Sequence, residues 1–455
     1  MREPRLLKAE SVRAYLLRRT PIIDALLDET CRRHDLPFIR VSIGIAEERL
    51  SRLRGPCVPD PAEGYDVACL NKLLIALVAL QLSQEGALDL DCPVSCYLKE
   101  IDRRKCAGGI KLWHLMSNST GLCGPSESHQ GGDRFGEIRN SVLTHMCSAA
   151  QMFPPGTVFS YQAHDYVALA EIIERVSGIA VTRQVEERLL APLGIQYIGR
   201  HQADGNVFNP LEQQEVPCLA EHAQGMEMKG INVAVLNDRD LVEVGQQVNA
   251  ALRRDGAGLF GASLLFKRRV SVPIAFYRMD VPAIFCAYGL GCGEYRDGTK
   301  GHAGITEGQC SALRFDPARN VSVAIVVGRR APHVRELIIR IILGLLGNSK
   351  ESVHTLQDAC FEAAEVLGRY SAGDSHQEVR VVRKNARVVC IVPVVPPENS
   401  AGKSKYAECV FLEDKGTLRL DASSRQWPVV FFRDPENDGP CLMIGVKAYK
   451  RVALI

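Results

Sequence analysis

The stretch YDVACLNKLLIALVALQL, residues 65–82, constrains the chain more than any other. Leu73–Leu80 is an unbroken run of eight apolar residues. That is too short to span a bilayer, which takes roughly 20, and it leaves no wet face for a surface helix. The run predicts a buried helix from about Asn71 to Glu85, stopped by Gly86. At 455 residues the chain is long enough for two or three folding units.

Lys72 stands at the mouth of this helix, three positions after Cys69. A thiol at a helix N-terminus feels the positive end of the macrodipole, which lowers its pKa. A lysine three residues on shares its face, and apolar neighbours lower the pKa of an ammonium toward the range of a general base. Cys69 therefore reads either as an activated nucleophile or as a small buried hydrophobe. The chain has 16 cysteines and no Cys-x-x-Cys, so scattered reduced thiols in a cytoplasmic protein are expected.

Elsewhere the periodicity predicts an α+β fold. IDALLDETCRRH reads as a helix and PFIRVSIGIA as the strand after it. DYVALAEIIERVSG and residues 238–253 have helical spacing. GQCSALRFDP and NVSVAIVVGRR read as two strands joined by a turn, and VRELIIRIILGLLG as a closing helix. The strands are expected to form one antiparallel sheet. The polar stretch NSKESVHTLQD then opens a linker, 348–366. Short β-rich runs over 367–455 predict a small all-β unit, sandwich or barrel.

Net charge is +2, which gives no sign of nucleic-acid or membrane-surface binding. The N-terminal MREPRLLKAESVRAYLLRR lacks the apolar core of a secretory signal and suits an amphipathic docking helix. No metal site is expected: there is no His-Glu-x-x-His, and Cys92 and Cys96 lack nearby partners. His114 and His145 read as structural, and Trp113 and Trp427 as core or pocket-wall aromatics. AGKSK at 401–405 has Pro397 where a phosphate loop needs glycine, and GLGCG at 289–293 lacks the third glycine of a dinucleotide fingerprint. The glycines of GLGCG more simply permit a tight strand entry.

Four blocks, in order over residues 20–345, carry a resemblance. LNKLLIALVALQLSQEGALDLDCPVSCYL resembles the Ser-x-x-Lys helix and its continuation in the serine β-lactamase and penicillin-binding-protein superfamily. The closest branch is that of class C enzymes, esterases and D-aminopeptidases. IKLWHLMSNSTGL resembles the segment ending in His-Thr-Ser-Gly-Leu, with Thr120 in the serine place. FPPGTVFSYQAHDYVALAEIIERVSG resembles the Tyr-x-Asn block. AYGLGCG together with KGHAGITEGQCSALRFDP resembles the block carrying the third motif in its His-x-Gly form. LGRYSAGD is similar to the opening of a lipocalin-like domain that some members append.

The resemblance implies a β-lactamase-like catalytic domain over 1–347, an antiparallel sheet flanked by helices, with a helical subdomain at about 86–200. It places Cys69 at the nucleophile, Lys72 at its partner, Tyr161 at the tyrosine acid/base and His302, Ala303 and Gly304 at the third motif. Backbone N–H groups of Cys69 and Ile305 would form the oxyanion hole. Tyr161, beside two cationic groups, is expected to have a lowered pKa, and His302 to orient substrate or complement negative charge.

Two departures stand out: cysteine replaces the nucleophilic serine, and Ala163 replaces the motif asparagine, with Gln162 or His164 as candidate substitutes in substrate binding. The N-terminal hairpin, EERLSRLRG, is also shortened. The expectation is covalent acyl transfer, without cofactor or metal, from a small-molecule or carrier-bound acyl substrate to an amine or alcohol. A hydrolase of esters, amides or D-amino-acid peptides and a non-catalytic binding homologue are the alternatives.

Overall fold

The computed structural model describes residues 11–57, 59–60, 64–101, 109–123, 135–196, 207–209, 214–216, 233–253, 261–272, 285–306, 308–347, 361–362, 364–372, 378–384, 387–394, 405–414, 417–420, 429–444 and 447–454. Leu6 and Leu7 of the expected docking helix, most of the linker, residues 124–134 and 217–232, most of AGKSK and Trp427 lie outside them.

Helix α1, Val12–His34, opens on Ser11, whose hydroxyl accepts the Ala14 N–H at 3.2 Å. It begins well before the IDALL run because Pro21 does not stop it; the sequence pattern had suggested a start at that proline. Strand β1, Ile39–Ile45, turns through Ala46 into β2, Glu48–Arg54. Then come α2, Asn71–Gln84; α3, Leu112–Met116; α4, Phe135–Ser148; α5, Ala163–Ser177; and α6, Asp238–Arg253. Strands β3, Val270–Ser271, β4, Ala287–Tyr288, β5, Gly293–Glu294, β6, Lys300–Ile305, β7, Cys310–Asp316, and β8, Val321–Val327, precede α7, Pro332–Leu345.

These eight strands form one antiparallel sheet in the order β2-β1-β8-β7-β6-β5-β4-β3. Alternation along β1 explains its place between two layers. Ile39, Val41, Ile43 and Ile45 join the core beneath α1 and α7. Arg40 and Ser42 face the other way, where both bond the buried Asp238 carboxylate of α6 at 2.6 Å. The second core gathers α2, α5 and α6 on that opposite face. As the apolar run requires, every residue of α2 from Asn71 to Leu82 is buried.

The C-terminal unit is a second antiparallel sheet: β9, Gly368–Ser371; β10, Val379–Lys384; β11, Arg387–Val394; β12, Lys405–Asp414; β13, Thr417–Leu420; β14, Val429–Arg433; β15, Pro440–Ile444; and β16, Lys447–Ala453. Its order, β13-β12-β11-β10-β9-β16-β15-β14, joins the first strand to the last and leaves β13 and β14 as its two edges. Where a sandwich or barrel was expected, the described residues form one continuous ladder, a half-barrel. The sheet packs on the main unit through Phe153 and Phe432, whose ring centroids are 6.3 Å apart, with Met443 and Ala448 beside them. The Ala448 N–H donates to Ser160 Oγ at 3.3 Å, next to Tyr161.

Among the described residues all cysteines are free thiols, no helix is long and apolar enough to cross a membrane, and no His/Cys/Asp/Glu cluster could hold a metal.

Candidate active site

Cys69 lies in a single 3-10 turn, Ala68–Leu70, that leads directly into α2. The turn is held from both ends. Asp66 Oδ1 accepts the Ala68 N–H at 2.8 Å, and Asn71 Nδ2 donates to the Ala68 carbonyl at 3.0 Å while its Oδ1 accepts the Ala234 N–H at 3.0 Å. Ala68 has φ +48°, the left-handed region that a residue with a side chain adopts only when its surroundings impose it. The half-buried Cys69 side chain thus stands on a strained, pinned turn at the start of a buried helix.

Lys72 is wholly buried one turn further on. Its Nζ lies 4.7 Å from the Tyr161 ring centroid and 5.7 Å from that of Tyr166, and it makes no hydrogen bond. Burial drives the Lys72 amine below the ordinary lysine range, opposed by the charge of Cys69 and, more weakly, Asp165. The Tyr161 hydroxyl is likewise buried without a partner. Burial and the neighbouring Cys69 side chain push it well above the ordinary phenol range. Two orphaned polar atoms thus converge on one thiol, an arrangement that costs stability and marks functional sites.

Tyr161 therefore departs from the expected lowered pKa. The physical reason is that burial outweighs its cationic neighbours, and one of those is not a cation. His302 is buried on β6 and held at about 3, first by burial and then by the nearby charge of Lys72. Its Nδ1 lies 2.8 Å from the Ala303 carbonyl oxygen and its Nε2 3.0 Å from the Tyr288 hydroxyl. A neutral imidazole fixed at both nitrogens favours the expected role of orienting substrate over that of complementing negative charge. Its ring stands 6.3 Å from that of Tyr161.

The other expected residues divide. Ala303 packs into the core beneath α1 and α7. Gly304 is required by close approach: a Cβ there would come within 2.1 Å of the Val67 carbonyl oxygen, just before the Cys69 turn. Ile305 is 42% exposed at the end of β6, beside that turn. Gln162 is buried and donates from Nε2 to the Leu122 carbonyl at 2.8 Å, so its amide braces a loop. Ala163 packs against the main core. His164 lies 5.9 Å from the ring of His145, and His145 Nε2 is 2.9 Å from the Cys123 carbonyl oxygen. Gly291 of GLGCG lets the chain cross α2 closely, since a Cβ would meet that of Ala76 at 2.3 Å.

Sequence reasoning missed Asp165, Asn118, Tyr166 and Tyr288. Asp165, in the first turn of α5, is buried and bonded to Asn118 Nδ2 at 3.1 Å. Burial raises it to about 7, against Asn118, Thr120 and the charge of Lys72. Tyr166 donates to the Met116 carbonyl at 2.6 Å. The one sequence signal was Asp165 itself, an acid four residues after the motif tyrosine.

Residues 55–206 match the Beta-lactamase family. Over 162 residues the chain is 26% identical to the Salmonella heidelberg (strain SL476) protein named "Putative D-alanyl-D-alanine carboxypeptidase", covering 34% of this chain and 36% of that one. Over 212 residues it is 26% identical to esterase EstB of Burkholderia gladioli, covering 41% and 53%. The matched region thus spans about a third to a half of these relatives. Among solved structures, SurE with D-Leu superposes with a TM-score of 0.67 at 20% identity, over 96% of this chain and 100% of that one. The likeness in fold extends through the C-terminal sheet. Sequence and structure together support the β-lactamase and penicillin-binding-protein superfamily.

Proposed function

We propose that the chain is an acyl-enzyme catalyst in which Cys69 is the nucleophile. Residues 1–347 form its catalytic unit, 348–366 a linker and 367–455 an appended, lipocalin-like β unit. The observation that carries this reading is that Lys72 and Tyr161 both neighbour the Cys69 side chain, with Lys72 Nζ 4.7 Å from the Tyr161 ring centroid. Lys72, whose burial favours the free amine, takes the thiol proton. The sulfur attacks the acyl carbon, and the oxyanion is received by the N–H groups of Cys69 and Ile305. Tyr161, protonated at any working pH, passes a proton to the leaving group as the tetrahedral adduct collapses, and Lys72 returns one to the phenol.

The resulting acyl-cysteine is a thioester, still reactive enough to acylate an amine. An incoming amine or alcohol, or water, attacks it, loses its proton to Lys72 and releases the thiol. The thioester favours transfer, whereas the names of the matched relatives favour hydrolysis, so the acceptor is the open variable of one mechanism. The donor is a small-molecule or carrier-bound thioester or other activated carbonyl.

Intact-protein mass spectrometry after mixing with a panel of acyl thioesters tests the reading. One acyl adduct is expected on the wild type and none on Cys69→Ala. Added amines should convert it to amide faster than water clears it. An adduct that survives in Cys69→Ala, or no adduct and no product with any donor, would refute the mechanism.

A further inference from the structure

Arg335 sits beneath the strand that carries Ile305. It belongs to the first turn of α7 and is buried, only 5% exposed. Its Nη1 donates to the carbonyl oxygens of Gly304, at 3.1 Å, and Ser311, at 3.2 Å. Among the described residues no carboxylate pairs with it, because its neighbour Glu336 is committed to Arg314 at 2.5 Å. A buried cation lacking a counter-ion is costly, and two carbonyl bonds offset only part of that cost. Such a charge is useful where negative charge develops nearby.

The backbone shows where. The Thr306 N–H donates to the Gln309 carbonyl at 2.9 Å, the first rung of the β6–β7 ladder beyond its paired residues. Hydrogen-bonded pairs alternate along an antiparallel ladder. In this register Gly304↔Ser311 is therefore such a pair, and Ile305↔Cys310 is not. The Gly304 carbonyl points toward β7 and Arg335. The Ile305 N–H, at the other end of the same trans peptide, points away from β7. On that side β5 pairs only as far as Gly301, and Val67, two residues before Cys69, lies against the face of the sheet at Gly304.

We infer that Arg335 is a positioning residue for oxyanion stabilisation. It fixes the plane of the Gly304–Ile305 peptide and polarises it, so that the Ile305 N–H is held on the Cys69 side as a stronger donor. A cation bound at the carbonyl end of a peptide strengthens the hydrogen bond given by its N–H end. In a water-poor interior the charge also acts directly on the developing oxyanion. Arg335 touches no reacting atom and exchanges no proton. The inference rests on Cys69 being the acylated nucleophile.

Two reactions of the same sulfur separate positioning from plain structure. Acylation by a thioester passes through a tetrahedral oxyanion, whereas alkylation by iodoacetamide displaces iodide directly and forms none. Both rates are read by intact mass on the full chain for wild type, Arg335→Met and Arg335→Lys, with circular dichroism and a thermal melt on each.

Arg335→Met should acylate about 10- to 100-fold more slowly, part of the roughly 10²–10³ lost with a direct oxyanion donor, while alkylation stays within about twofold. Arg335→Lys, keeping charge and donor, should recover to within about 10-fold of wild type. Unchanged acylation in folded Arg335→Met would overturn the inference, as would parallel loss of both reactions. If the methionine variant is unfolded at the assay temperature, the same comparison on Arg335→Lys decides, with parallel loss again overturning it. A wild type that alkylates at Cys69 but never acylates would instead overturn the acyl-enzyme reading and remove the basis of this one.

Discussion

Replacing Lys72 by methionine should make the protein more stable and chemically silent. The amine is wholly buried and bonds nothing. An orphaned buried polar group costs about 1–3 kcal/mol, and methionine fills nearly the same volume without one. What the substitution forfeits is the approach of Nζ to the Tyr161 ring at 4.7 Å and the Tyr166 ring at 5.7 Å. That attraction is worth roughly 0.5–2 kcal/mol to a full cation. It is worth less here because burial lowers the Lys72 pKa. The net gain is about 1–2 kcal/mol. With an unfolding entropy near 2.1 cal/mol/K per residue, the proposed catalytic unit, residues 1–347, would melt with roughly 0.7 kcal/mol/K. Its Tm should therefore rise by about 1.5–3 °C. The assay pairs a thermal melt at pH 7.5 with the rate of Cys69 acylation, which should fall about 10²- to 10⁴-fold. A lowered Tm would show that Lys72 is structural, and retained acylation would show that it is not the base; either refutes the reasoning.

Gly304→Ala would force a methyl group to within 2.1 Å of the Val67 carbonyl oxygen. It should cost about 1–3 kcal/mol by overpacking and slow acylation about 10²-fold or more by parting β6 from the Cys69 turn; a denaturant titration and the acylation rate check both. His302 predicts acid sensitivity. Its folded pKa of about 3 lies below the unfolded value of 6.5, so the unfolded chain takes the proton first. The stability it contributes is intact above pH 6.5 and is lost as pH falls from there toward 3. Between pH 7 and 4.5 the wild type should lose about 2–3 kcal/mol more than His302→Gln in urea titrations; equal losses would mean that the imidazole titrates normally.

Much of this arrangement was readable in the residues because it is encoded locally. The apolar run fixed α2, and the family resemblance placed Cys69, Lys72, Tyr161 and His302 in motifs that the fold brings together. What escaped depends on partners distant in sequence. Asn71 holds the Cys69 turn by reaching Ala234, and Asp165 acquires its buried character from Asn118 and Thr120. Tyr161 was expected to be acidified by two cations, which burial precludes by neutralising His302. The C-terminal strands were legible one by one, yet alternation carries no information about which strand pairs with which. The half-barrel and the β9–β16 pairing therefore had to be seen.

The contact between Ser160 and Ala448 has a consequence for how the protein is made. Strand β1 waits for β8, almost the whole main unit later, before the central sheet can close. The segment leading to Tyr161 is then braced by the final strand, β16, through its Ala448 N–H. With synthesis running from the N-terminus at about 5–20 residues per second, Cys69 and Lys72 emerge from the ribosome some tens of seconds before that brace. The segment leading to Tyr161 is thus braced only after β16 has been made, and under the proposed mechanism a chain truncated before β16 should acylate at Cys69 more slowly than the full one.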